Sequence, residues 1–160
     1  MTTTFSTTTT DPQPVRSQTV VFLRHGVAQH NYRGANLTSP TLFDPSLTLQ
    51  GKQGAVQAGE TICAWFQKQQ QQQQQRNNTS AAPDLIICSP LTRTLQTASL
   101  AFVPGSPPSY TRPTAVPLVC VENVREAFGM HYPDKRRERS ILEVRTLSCV
   151  VSDCDEAIFC

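Results

Sequence analysis

Arg24, His25 and Gly26 stand side by side at the end of the apolar run Val20-Val21-Phe22-Leu23, and together they could handle a phosphoryl group. Arginine offers a permanent fork of donors matched to phosphate oxygens. Histidine offers a nitrogen that is nucleophilic near neutral pH. Glycine lets the backbone turn and lets a ligand approach closely. An apolar run of this kind reads as a strand buried on both faces, and the crevice beyond the carboxyl end of a parallel strand is where open α/β sheets bind ligands. The same tripeptide also fits a plain strand end followed by a polar turn, so residues elsewhere decide its meaning.

A second apolar burst, Asp84-Leu85-Ile86-Ile87-Cys88, runs directly into Ser89-Pro90-Leu91-Thr92-Arg93. Ser89 is the expected N-cap of a helix with Pro90 in its first position. Leu91, Leu95, Ala98 and Phe102 then recur at helical spacing. Arg93 falls in the first turn, where the helix dipole disfavours a cation but the free N–H groups attract anions. That placement favours a ligand role over a stabilising one. A third run, Val116–Val121, leads to Glu122 and Glu126. Phosphoryl transfer from an alkyl ester needs a proton for the leaving oxygen, and a partly desolvated glutamic acid can supply it. On spacing alone, both glutamates are also ordinary solvated loop residues.

Leu23-Arg24-His25-Gly26 with Asn31, Asp44-Pro45-Ser46-Leu47-Thr48-Leu49-Gln50-Gly51, and Ser89-Pro90-Leu91-Thr92-Arg93-Thr94-Leu95-Gln96-Thr97-Ala98 occur in that order. In these blocks the chain resembles the histidine phosphatase superfamily, which includes the cofactor-dependent phosphoglycerate mutases. Val124-Arg125-Glu126-Ala127-Phe128-Gly129-Met130-His131, followed by Asp134-Lys135-Arg136-Arg137, resembles its phosphoglycerate-mutase-like branch. The resemblance implies that His25 is the nucleophile of a phosphohistidine intermediate and that Arg24 and Arg93 hold the phosphate oxygens. It further implies that Glu126 is the general acid, with Glu122 the alternative carboxylate, and that Asn31 is a polar, substrate-binding pocket residue. Two nearby guanidiniums are expected to lower the pKa of His25.

One departure accompanies the resemblance. The family carries a second pocket histidine on a later strand, whereas this sequence holds only His25, His30 and His131 and ends at Cys160. Losing one preorganised donor costs about a hundred- to a thousandfold in rate. The expectation is therefore a member truncated before that histidine, weak or inactive in this form and poorly soluble through bare sheet edges. The implied activity is phosphomonoester hydrolysis on a small phosphorylated metabolite. The alternatives are phosphoglycerate-mutase-type transfer and an inactive phosphate-binding protein.

These residues need a scaffold, and 160 residues allow one domain. The resemblance implies a three-layer α/β/α fold on a mainly parallel sheet, to which this chain brings strands from Thr19, Asp84 and Val116. Residues 1–18 read as a disordered Thr-rich tail, with no secretory or mitochondrial leader. Residues 19–160 form the domain, with a disordered Gln-rich insert at 67–80. The helix before the insert has Thr48 as its cap and an apolar stripe of Ala55, Ala58, Ile62, Trp65 and Phe66, with both aromatics expected in the core. Pro104–Pro117 reads as a surface connection.

Six cysteines without a C-x-x-C pair, with Cys63, Cys88 and Cys120 in apolar runs, suit a reduced cytoplasmic protein better than a disulfide framework. No carboxylates stand at metal-ligand spacing, so no metal and no cofactor are expected. A net charge of +2 gives no case for nucleic acid or membrane partners. The basic cluster Lys135-Arg136-Arg137-Glu138-Arg139 is expected on a solvated helix face, with Arg139 paired to Glu143.

Overall fold

In the computed structural model, which describes residues 19–73, 83–102, 116–126, 129, 131–145 and 157–159, the longest element is α1 (Leu49–Gln73). Thr48 starts it as the spacing predicts, its hydroxyl accepting the Gly51 N–H at 3.0 Å. Ala55 and Cys63 are buried, and Ala58, Ile62 and Phe66 partly so. Trp65, expected in the core, keeps 39% exposure and lies edge-on against Phe66 with centroids 5.0 Å apart. The expectation of a disordered insert from residue 67 is also corrected, because α1 continues to Gln73. Glutamine is a good helix former, and extending an existing helix needs no new nucleus. Residues 74–82, the Thr-rich tail, residues 103–115 and Cys149, Cys154 and Cys160 lie outside the described residues.

The sheet has three strands in the order β1 (Ile86–Cys88), β2 (Leu118–Val121), β3 (Ala157–Phe159). β1 and β2 are parallel, with Cys88 opposite Cys120, and β3 runs antiparallel to β2. Two of the expected strands are present; the one from Thr19 is not. Val20–Leu23 is neither paired nor buried, with Phe22 92% and Val20 69% exposed. An apolar run becomes a strand only when it pairs with a neighbour, and among the described residues β1 pairs with β2 alone and β2 with β1 and β3. The fold is thus α/β with a small mixed sheet.

α2 (Thr92–Phe102) follows β1 and buries Leu95, Ala98 and Ala101, its stripe joining Leu118, Cys120 and Leu142 in the core. It packs against α1 so closely that a Cβ on Gly59 would strike the Ala101 backbone. A shorter helix, α3 (Arg139–Arg145), delivers Leu142. Cys88 and Cys120 are free thiols with sulfurs 3.1 Å apart. Their mutual hydrogen bond, and then burial, push the Cys88 pKa up. Among the described residues no helix is long and apolar enough to cross a membrane.

Candidate active site

The first two turns of α2 collect the anchors of the site. Asp44, fully buried and left-handed at φ 43°, accepts the Thr92 N–H at 2.8 Å and the Thr92 hydroxyl at 2.6 Å. Its carboxylate therefore starts α2, correcting the expectation that Ser89 would do so. The Ser89 hydroxyl has no partner, and its carbonyl accepts from Thr94. A negative charge at a helix N-terminus is favourable, and it offsets the poor placement of Arg93 one residue later. Gln96 accepts the Leu47 N–H at 2.8 Å, and Thr97 accepts the Gly26 N–H at 3.0 Å. The turn after His25 is thereby tied to α2.

Gly26 and Gly51 let that turn lie directly on the start of α1. A Cβ on Gly26 would strike the Gly51 carbonyl, and one on Gly51 would strike the Val27 carbonyl. His25 is half-buried beside this contact, its Nδ1–H donating to the Gly26 carbonyl at 2.7 Å. Nε2 is left as the ring's lone-pair nitrogen. Burial is the main cause that lowers the His25 pKa; Arg93 adds to it and Arg24 contributes least, with Glu126 and the Gly26 bond opposing. The His25 pKa is lowered as expected, but desolvation rather than the two guanidiniums is the chief reason.

Arg93 is fully buried. Its Nη1 donates to the Pro133 carbonyl at 2.5 Å, and its Nη2 to Glu126 at 2.6 Å and Asp134 at 3.1 Å. Nε is buried without a partner. Glu126 is 63% exposed on its side chain. Partial burial works to raise its pKa, but the Arg93 hydrogen bond and charge prevail and hold it below the usual carboxylate value. In this arrangement Glu126 is a carboxylate, not the raised-pKa acid that desolvation alone would make. Glu122, the alternative, is committed to Arg125 and Arg136, each at 3.1 Å. Arg24 is exposed.

His30 and Asp134 belong to the site although spacing assigned neither a role there. The His30 ring lies 5.7 Å from that of His25, centroid to centroid. Asn31 fixes its tautomer: the amide oxygen accepts the Ala28 N–H at 2.8 Å, so the amide nitrogen faces His30 Nε2 at 3.2 Å. Nε2 is the acceptor, the proton sits on Nδ1, and Nδ1 is buried without a partner. Asn31, expected to bind substrate, spends its amide on this loop. Burial, and then the Arg93 charge, lower the His30 pKa to about 4. A histidine five residues after another has no periodic signature, which is why spacing missed it.

Lys135, Arg136 and Arg137 precede α3 rather than lying on a helix face, whereas Arg139 opens α3; the side chain of Glu143, its expected partner, lies outside the described residues. Lys135 stacks on Tyr132 at 3.9 Å, Arg136 pairs with Glu122, and Arg137 donates to the Phe43 carbonyl at 3.1 Å. With Glu122, Arg125 and Glu138 these residues line an open groove of about 460 Å³. Asp134, on Arg93, directly precedes it in the chain. Among the described residues no cluster of three or more His, Cys, Asp or Glu side chains could hold a metal ion. No family model, curated protein or solved structure matches the chain.

Proposed function

We propose that this protein is a phosphomonoester hydrolase that works through a phosphohistidine on His25. One observation carries the reading: Arg93 and Glu126, 2.6 Å apart, both act electrostatically on a half-buried His25 whose Nδ1 is already bonded to the Gly26 carbonyl. His25 Nε2 attacks phosphorus in line as the ester P–O bond breaks, and Glu126 protonates the leaving oxygen. Glu126 then takes a proton from water, whose oxygen displaces the imidazole and releases inorganic phosphate. Positioning and charge supply most of the acceleration in such transfers, and Arg93 is the chief source of both.

His30 supplies the second histidine that the family resemblance calls for, through its unpartnered Nδ1–H beside His25. Arg24 reaches the phosphate from solvent. The substrate is a small phosphorylated metabolite, its remainder lying toward the basic groove. In this reading the three-layer α/β/α fold is completed by a further strand on the outer edge of β1.

The test is to incubate the chain with p-nitrophenyl phosphate, quench in alkali and look for acid-labile phosphate. Label on the wild type, none on His25→Ala, and release of inorganic phosphate are expected. No label on the wild type sinks the reading. Isomerisation of a phosphorylated three-carbon acid without net phosphate release would replace hydrolysis by transfer.

A further inference from the structure

Arg93 enters the site with most of its hydrogen bonds committed, and they differ in how easily they are given up. Nη1 is on the Pro133 carbonyl, Nη2 is shared by Glu126 and Asp134, and Nε is buried without a partner. Nε and Nη2 lie along one edge of the planar guanidinium, an edge that can take two oxygens of one oxyanion. An incoming anion gains that edge only by displacing an acceptor from Nη2. Pro133 is buried and Asp134 is 17% exposed on its side chain, whereas Glu126 is 63% exposed. Glu126 is the acceptor that can swing into solvent, while Pro133 and Asp134 keep the guanidinium in place.

We propose that the substrate's phosphoryl group displaces Glu126 from Arg93, and that this exchange turns Glu126 from an ion-pair partner into the proton donor for the leaving group. The inference rests on the hydrolase reading and adds to it how the acid is charged. The charged and titratable groups around Glu126 are Arg93 from α2, Asp134 on the same Nη2, and His25 and His30 from the segment before α1. Arg93 and the two histidines lower its pKa in the resting site, with the Arg93 hydrogen bond the largest of the lowering influences. A bound dianion takes over that hydrogen bond and neutralises the Arg93 charge. It also adds negative charge beside the carboxylate, so Glu126 binds a proton more tightly. The proton comes from solvent and leaves with the alkoxide as the P–O bond breaks.

Sulfate is the probe, being a tetrahedral dianion that does not itself titrate from pH 4 to 8. The carboxyl carbon of Glu126 in the full chain, assigned through Glu126→Gln, is titrated by NMR with saturating sulfate and with chloride at equal ionic strength. Its midpoint is expected to rise in sulfate. Glu126→Gln, which removes the competing anion, is expected to bind sulfate roughly fivefold more tightly, the size typical of one exposed ion pair. An unchanged or lower midpoint, unimproved binding by Glu126→Gln, or no sulfate binding to the wild type each overturns the exchange. The phosphohistidine trap decides the hydrolase reading separately, so a chain that passes one test and fails the other shows which idea is wrong.

Discussion

Arg93 and Arg24 both act electrostatically on His25, one sealed inside the molecule and the other in solvent. The start of α2 is held by Asp44, Gln96 and Thr97, and its arginine is gripped by two carboxylates and a carbonyl. The segment leading to Arg24 has no strand partner and exposes Phe22 almost completely. The difference teaches that aim and availability oppose each other. A buried guanidinium needs counter-charges to persist, so it is pointed but occupied. An exposed one is free but unaimed, and water screens most of its field.

Removing the held arginine is the hardest blow to that contrast. Arg93→Ala should destabilise the chain by about 3–5 kcal/mol, because it strips the partner from groups arranged around a buried charge. It should also cut phosphoryl transfer by at least about a hundredfold. Urea unfolding and p-nitrophenyl phosphate turnover measure the two, and a loss below about 1 kcal/mol would mean that Arg93 is not sealed in.

Asp44→Ala should cost about 2 kcal/mol in the same unfolding assay, since α2 loses its cap and Thr92 loses both of its bonds. Relief of the left-handed backbone offsets little of this, because alanine fits that conformation worse than aspartate.

Acid should sharpen the comparison further. His30 titrates at about 4 in the folded chain against an ordinary 6.5, and His25 is lowered in the same direction. Between those values the unfolded chain binds more protons, so stability present above pH 6.5 is lost as pH falls toward 4. The melting temperature should drop across that window, and His30→Asn should make the slope shallower. An equally steep slope in the variant would assign the acid sensitivity elsewhere.

The smallest effects belong to the exposed segment. Phe22→Ser and Arg24→Ala should each change stability by no more than about 0.5 kcal/mol, with Phe22→Ser improving solubility. A large loss from Phe22→Ser would show that the run is packed in solution and that the contrast between the two arginines is weaker than drawn.

Signals that act within one or two turns were legible in the residues. Thr48 announces α1, the apolar bursts before Cys88 and Val121 announce β1 and β2, and the Leu91–Phe102 stripe announces α2. The pairing of Arg93 with Glu126 was legible as shared chemistry rather than as contact. Long-range competition was not legible. Ser89 is the better local cap, yet Asp44 wins from 48 residues away because it brings a full charge and two bonds. Val20–Leu23 has the composition of a core strand, yet it lies unpaired while β1 keeps an open outer edge among the described residues.

From the order of its residues alone, this chain showed where α1, β1, α2 and β2 lie and which side chains could supply a nucleophile, a cation and a carboxylate, since those properties depend on neighbours a few positions apart. Tertiary structure alone decided that Arg93 is buried and occupied, that Arg24 is not, and that His30 and Asp134 join the site. Each of those outcomes depends on which distant groups reach a donor first, and burial makes the winning pair costly to separate.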